Sequence, residues 1–267
     1  MIMKTQILDH LPPDCSWRDS LIWFDAVDST NTRAKAMAIL GVPHGTVLIA
    51  DSQSNGRGRM GRSFQSPAGM GLYMSVILRP RCAPHELMHL TCAAAVAMCD
   101  AVEASAGIRP GIKWTNDLVY GKSKLGGILT ELVLGSRGSL DAAIIGIGIN
   151  CCQEERDFPP EIRSMAASLQ MASGHAVSRS RVCAAMMEAL WKMDAGLLSE
   201  KAEILHRYRQ NCITLGKEVS VVRGETVRHA LALDIDEEGA LLVRYRDGST
   251  EFVNSGEVSI RGMYGYV

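Results

Sequence analysis

The chain has 267 residues, a formal net charge of −1, 47% hydrophobic and 21% charged residues, a composition that excludes a disordered or fibrous polymer and suffices for one full domain plus a small second one. Near-neutral charge argues against a dedicated nucleic-acid binder, which carries a large basic excess. The eight cysteines include no C-x-x-C pair and no paired metal-type spacing with histidine, so they read as reduced thiols in a core.

In chain order, Asp9, Asp14, Arg18 and Asp19 arrive too early for the apolar core of a signal sequence. The longest apolar run, near residues 93–98, falls far short of a bilayer span. A soluble, cytoplasmic protein is expected. Leu21-Ile22-Trp23-Phe24 reads as a buried strand, and Asp28-Ser29-Thr30-Asn31 as the start of a helix that ends at Gly41, before Pro43. Strands are expected over 46–50 and 72–78, with a basic, glycine-rich loop between them. Pro84 opens a long alanine-rich core helix over 85–104.

Short strands follow over 112–114, 118–120, 127–134 and 142–149, with a hairpin turn at Gly121-Lys122. Residues 153–160 form a polar, proline-bearing loop. Helices are expected over 178–198, with Ser178 as a cap, and over 202–208. From Gly216 the texture changes to short strands over 219–222, 227–235, 240–245 and 250–253, the spacing of a small SH3-like barrel. A boundary near Leu215 divides a 1–215 domain from a 216–267 domain.

Five segments carry chemistry. Gly56-Arg57-Gly58-Arg59-Met60-Gly61-Arg62 alternates permissive backbone with fixed cations, a pattern suited to closing over a carboxylate or phosphate. Ser29-Thr30-Asn31 offers three small hydrogen-bonding side chains at a helix start, where one serves as the cap and others face a ligand. Lys113-Trp114-Thr115-Asn116-Asp117 is either a solvated turn or, through Asn116 and Asp117, a pair of oxygen ligands for Mg²⁺. Lys124 before Gly126-Gly127 is either an exposed hairpin lysine or one aimed at a reacting carboxylate and phosphate. Gly146-Ile147-Gly148-Ile149-Asn150 marks a bulge or lets a flat ring pack on the backbone.

In order and spacing, Ser29-Thr30-Asn31, Gln53 with residues 56–62, and segments 113–118, 124–131 and 146–150 resemble the biotin–protein ligases, strongly over residues 20 to 150. The resemblance implies an α+β fold: a mixed β-sheet catalytic domain with flanking helices, of the biotin/lipoate-ligase kind, plus a small C-terminal SH3-like β-barrel. It implies activation of biotin with ATP to biotinyl-5′-adenylate, release of pyrophosphate, and transfer to one lysine of a biotin carboxyl carrier protein. By position, Ser29, Thr30, Asn31 and Gln53 hold biotin's ureido ring and its neighbourhood. Arg57, Gly58 and Arg59 close over its carboxylate and the adenylate phosphate, and Lys124 contacts the same oxygens, with Lys113 beside them. Phe64 packs on adenine where the family often has tryptophan, and Asn150 is a nucleotide-side amide. Gly56, Arg62, Trp114, Gly126, Gly127 and Gly148 complete the set around biotin and ATP. Asn116 and Asp117 match the segment linked to Mg²⁺ and nucleotide, and Glu257 and Arg261 a stretch turned towards the nucleotide side.

One departure is Thr115, where the family usually has proline, so the turn loses a fixed φ. Another is that barely 20 residues precede the first strand, too few for the winged helix-turn-helix that makes some members repressors. A monofunctional type that binds neither DNA nor membrane is expected, as a monomer or a homodimer. A lipoate- or octanoyl-transferring ligase of the same fold is the alternative reading. A nucleic-acid binder using the basic loop and the barrel is a third, and the charge speaks against it.

Overall fold

A computed structural model describes residues 2–254 and the backbone of residues 259–262. Seven strands form the larger sheet: β1 (Leu21–Phe24), β2 (Thr46–Ala50), β3 (Gly71–Leu78), β4 (Gly111–Lys113), β5 (Asp117–Tyr120), β6 (Ser123–Leu134) and β7 (Leu140–Asn150). Their order is β1-β2-β3-β7-β6-β5-β4; β1 pairs parallel with β2 and every other pairing is antiparallel. Six α-helices lie among the described residues: α1 (Ile2–His10), α2 (Thr30–Ile39), α3 (Leu90–Ala106), α4 (Leu169–Ser173), α5 (Arg179–Gly196) and α6 (Lys201–Asn211).

Side-chain alternation sets the layers. Leu72, Met74, Val76 and Leu78 on β3, with Ala143, Ile145, Ile147 and Ile149 on β7, join one buried cluster with α3 and α5. On the opposite face Leu48, Ile77, Val133, Ala142 and Ile144 form a smaller cluster with Ala34 and Ala38 of α2, against which Phe24, Met37 and Val42 pack. That helix is 10 residues long, so it covers part of its face. Along β7 the same face continues from Ala142 and Ile144 to Gly146 and Gly148. Apolar side chains thus pack under α2 and glycines floor the space beyond it.

Local chemistry explains the helix ends. Ser29 caps α2 by accepting from the Thr32 amide, and Ser178 caps α5 by accepting from the Arg181 amide. The Arg79 guanidinium closes the far end of α2, donating to the Ala38 and Val42 carbonyls at 2.6 and 2.8 Å. The expected helix over 85–104 is broken: a 3₁₀ turn over Pro84–Leu87 precedes α3, and His89 between them has φ −81° and ψ 0°. The buried His89 ring bonds the Leu197 carbonyl at 2.8 Å, which draws the chain out of helical register. Pro84–Ala106 is long and apolar enough to cross a membrane by length and composition, but most of it is buried inside the protein, as in a core helix.

Two further elements escape local patterning. Helix α1 is held by Ile7 and Leu11 in the core and by Arg18, which donates to the Leu8 and Leu11 carbonyls at 2.9 and 2.7 Å. β6 starts at Ser123 rather than 127, so Lys124 stands on a strand.

The second sheet contains β8 (Glu218–Arg223), β9 (Thr226–Ile235), β10 (Leu241–Tyr245), β11 (Thr250–Val253) and β12 (Ser259–Gly262), in the order β11-β10-β9-β8-β12 and antiparallel throughout. The strand β12 has no counterpart among the expected elements. Glu257 lies outside the described residues, and Arg261 is described only as a backbone position opposite Ser220. Val219, Val221, Ala232, Ile235, Leu241 and Val243 belong to the same buried cluster as the helical side of the larger sheet.

Candidate functional site

A cavity of about 570 Å³ opens on the glycine half of the larger sheet, beyond the N-terminus of α2. Its lining gathers Ser29, Thr30, Asn31, Gln53, Arg57, Gly58, Arg59, Arg62, Phe64, Lys113, Trp114, Asn116, Asp117, Lys124, Gly127 and Gly148, all anticipated from sequence and supplied by five separate segments. Three anticipated residues stand outside it. Gly56 sits behind the loop, where a Cβ would lie 2.3 Å from the Phe64 carbonyl oxygen; Gly126 backs onto the Gly148 carbonyl, 2.4 Å from where its Cβ would be. Asn150 lines a second cavity of about 800 Å³ that shares Gln53, Arg62, Ser63, Phe64, Lys124 and Met165 with the first.

The α2 end is a network of amides and hydroxyls. The Thr30 amide and Oγ1 both donate to Gln53 Oε1, at 2.8 and 3.0 Å. Gln53 Nε2 donates to Ser66 Oγ, which donates to the Phe64 carbonyl. Asn31 is enclosed: Nδ2 donates to the Leu129 carbonyl at 3.2 Å and to Glu131 Oε2 at 3.0 Å, and Oδ1 accepts from Ser75 Oγ at 2.6 Å. A Cβ on Gly146 would fall 1.9 Å from Asn31 Oδ1, so this glycine admits the protein's own side chain. Gly148 does the same for the Phe64 ring, 2.5 Å from where its Cβ would be. Phe64 also meets Tyr73 edge-on, with centroids 6.3 Å apart.

The basic loop is a small hairpin lying over the cavity. The Phe64 amide donates to the Gly56 carbonyl at 2.9 Å, the Gly58 amide to the Arg62 carbonyl at 2.7 Å, and Arg57 bridges to Ser63. Met60 at its tip has φ 55°, a left-handed conformation uncommon outside glycine, asparagine and aspartate. Arg57 pairs with Glu131 at 3.0 and 3.1 Å, and Arg59 Nη1 donates to Asn116 Oδ1 at 2.8 Å. Burial draws the Arg59 guanidinium below its ordinary value, against the opposing charge of Asp117; an arginine remains cationic through such a shift.

The turn after β4 is held from behind. The Trp114 amide donates to Thr214 Oγ1 at 2.9 Å, its indole Nε1 to the Gly239 carbonyl at 3.0 Å, and the Tyr208 hydroxyl to the Thr115 carbonyl at 3.0 Å. The Trp114–Thr115 peptide is cis. Asn116 Nδ2 donates to the Ile128 carbonyl, which aims its oxygen at Arg59. Lys124 Nζ donates to Asp117 Oδ1 at 2.6 Å. In the second cavity Asn150 Nδ2 donates to the Ala167 carbonyl and its Oδ1 accepts from Gln153 Nε2 at 3.3 Å.

Five cationic side chains (Arg57, Arg59, Arg62, Lys113 and Lys124) and one carboxylate, Asp117, line the first cavity. Lys113 is only 8% exposed. Such a lining is of the kind that suits anions, since fixed positive groups meet their charge without reorganising. Glu131, Ser75, Ser66 and Met165 were not anticipated as site residues. The closing position of segment 124–131 was the only signal for Glu131; Ser75, Ser66 and Met165 left none.

Among known proteins, residues 23–150 match the family model described as the biotin/lipoate A/B protein ligase family, and residues 214–261 that of the biotin protein ligase C terminal domain. The chain is 36% identical over 229 residues to the bifunctional ligase/repressor BirA of Bacillus spizizenii, across 85% of this chain and 70% of that one. It is 30% identical over 236 residues to the biotin--[acetyl-CoA-carboxylase] ligase of Mycobacterium tuberculosis, across 86% and 85% of the two chains. The solved biotin protein ligase from Aquifex aeolicus in complex with biotin and ATP matches with a TM-score of 0.76 at 32% identity, over 91% of this chain and 98% of that one.

Proposed function

The chain belongs to the biotin/lipoate A/B protein ligase family, and from that premise we propose that it is a biotin–protein ligase: it activates biotin with ATP and passes the biotinyl group to a lysine of a biotin carboxyl carrier protein. The observation that carries the reading is the first cavity, in which five cations from three separate segments converge over a glycine floor.

In the first step a biotin carboxylate oxygen attacks the α-phosphorus of ATP, the C–O–P anhydride forms, and pyrophosphate leaves. Both reactants are anions, so their approach is unfavourable in water. Arg57, Arg59, Lys113 and Lys124 offset that repulsion and meet the charge that builds on the phosphoryl oxygens. Thr30 and Gln53, already joined by hydrogen bonds, suit the ureido end of biotin with their remaining capacity. The second cavity, with Asn150 and Phe64, suits the nucleotide. The hairpin over residues 56–64 excludes water from the anhydride until a neutral lysine amine attacks its carbonyl and AMP leaves.

Among the described residues no cluster of three or more histidine, cysteine or acidic side chains suits a resident metal. Asn116 Oδ1 and Asp117 Oδ1 do line the cavity, each already accepting from a cation. That donor pair fits Mg²⁺ arriving with the nucleotide's phosphates; Asn116 and Asp117 would hold it, and it would supply charge neutralisation at the pyrophosphate leaving group. A division near Leu215 assigns the chemistry to the first unit and the small sheet to its support. The reaction's use of ATP agrees with the cytoplasmic location expected from the sequence.

The test is pyrophosphate release by the purified chain. Release that requires biotin and ATP together supports the reading, and release without biotin, or none with both present, overturns it.

A further inference from the structure

Glu131 stands on β6 between the basic loop and the start of α2, with 18% of its side chain exposed. Its Oε2 accepts from Arg57 Nη1 and from Asn31 Nδ2, both at 3.0 Å, and its Oε1 accepts from Arg57 Nη2 at 3.1 Å. The guanidinium is therefore held by two parallel bonds, the arrangement that fixes its plane as well as its position. Two of the five guanidinium N–H donors point at Glu131, which leaves three for an incoming carboxylate or phosphate. Asn31 completes the bracket. Both hydrogens of its side-chain amide are bonded within the protein, so the side chain has no donor left for a ligand and serves to fix the Glu131 carboxylate.

We propose that Glu131 is the positioning residue of the site: it holds Arg57 over the first cavity in the orientation that receives the substrate carboxylate, on the reading of that cavity as biotin's. Arg57 belongs to a loop and is itself 41% exposed, so without this partner its long side chain would regain many rotamers, and each substrate would have to order it anew. The contact also fastens the hairpin, because Arg57 and Arg59 tie it to Glu131 and Asn116 respectively. Glu131 touches no reacting atom and acts through Arg57.

The experiment compares the parent chain with Glu131→Gln, Glu131→Asp, Arg57→Gln and the Glu131→Gln/Arg57→Gln pair. Glutamine keeps an acceptor for Asn31 and removes the charge; aspartate keeps the charge on a shorter arm. One readout needs no substrate: the rate of tryptic cleavage after Arg59 and Arg62 in the ligand-free protein, followed by mass spectrometry. Glu131→Gln is expected to be cut at least about fivefold faster there, since a charge-assisted two-pronged bond is lost. The second is biotin-dependent pyrophosphate release. The KM for biotin is expected to rise about tenfold in Glu131→Gln with a smaller change in kcat, to recover partly in Glu131→Asp, and to be no worse in the pair than in Arg57→Gln alone. Unchanged cleavage and KM, tighter biotin binding by Glu131→Gln, or losses that multiply in the pair overturn the proposal. A parent chain that releases no pyrophosphate would fail the biotin reading, and the cleavage rates would still decide whether Glu131 holds the loop.

Discussion

At the scale of single residues, the site depends on which atoms have been left available. Ser29 and Asn31 are engaged within the fold, as a cap and as a strut, whereas Arg59 faces a cavity lined by cations and reaches across it to Asn116. Arg59→Gly removes that tether and a phosphate-facing charge. The variant is expected to lose bound biotinyl-adenylate about 10- to 100-fold faster, the value of one or two charge-assisted hydrogen bonds. Retention of radiolabelled adenylate on a filter over time measures this, and equal half-lives in parent and variant would refute it. Gly146→Ala tests the floor of the site. Its methyl carbon would lie 1.9 Å from Asn31 Oδ1, and Asn31 is held by three hydrogen bonds and has nowhere to retreat. A destabilisation of about 1–3 kcal/mol is expected, as for other overpacked sites, accompanied by weaker biotin binding. Denaturant midpoints and calorimetric titration report the two effects; an unaltered midpoint would mean that the sheet relaxes around the methyl group.

At the scale of elements, the supports lie behind the chemistry. The turn between β9 and β10 delivers the Gly239 carbonyl to the Trp114 indole, from the second sheet to the turn that carries Asn116 and Asp117. Gly239 has φ +85°, and a Cβ there would lie 2.8 Å from Cys92 Sγ. Gly239→Ala is expected to cost about 1–3 kcal/mol in a denaturant titration through strained backbone, and to shift the KM for ATP more than that for biotin; equal shifts would argue that the turn is not held in this way. A second tie joins the segment before β2 to α5. His44 Nε2 meets Asp194 Oδ2 at 2.8 Å, and the Arg79 amide donates to His44 Nδ1. The hydrogen bond to Asp194 raises the His44 pKa, while burial and then the charge of Arg79 oppose it. A raised folded-state value means that the pair's stabilisation is complete below the unfolded value, about 6.5 for histidine, and is lost as pH rises through the folded one. The difference in Tm between the parent and His44→Gln should therefore be widest near pH 5.5 and shrink towards pH 9. A difference that grows with pH would reverse the assignment.

At the scale of the whole molecule, the two sheets share one buried cluster, in which Val221, Ala232 and Leu241 of the smaller sheet belong with Cys92, Met98 and Trp114 of the larger unit. Chains that share a core unfold together. In fluorescence, Trp17, Trp23 and Trp191 report the larger unit and Trp114, whose indole binds the Gly239 carbonyl, its contact with the smaller one, whereas far-ultraviolet circular dichroism reports the backbone of both. The two signals are expected to give coincident denaturation curves, and two separated transitions would show that the small sheet is an independent module.

The sequence by itself determined what is local. Short apolar runs mark β2 and most of β3 and β7, serines mark the starts of α2 and α5, and arginines among glycines mark the loop over the cavity; each signal lies within a few neighbouring residues. The helix α1 and the break at His89 were not legible, because each is fixed by partners far along the chain, α5 in one case and the Leu197 carbonyl in the other. The tertiary structure alone decided how the site residues divide their work. Asn31, Ser75, Glu131 and Gly146 are distant in sequence and meet only through the packing of α2 on β3, β6 and β7 and through strand register, which sets Ser75 opposite Gly146 and Leu129 opposite Gly146 across β7. Residue type announces a hydrogen-bonding or ionic capacity, but whether a substrate finds that capacity available depends on which neighbours have already satisfied it, and pairing across strands supplies those neighbours.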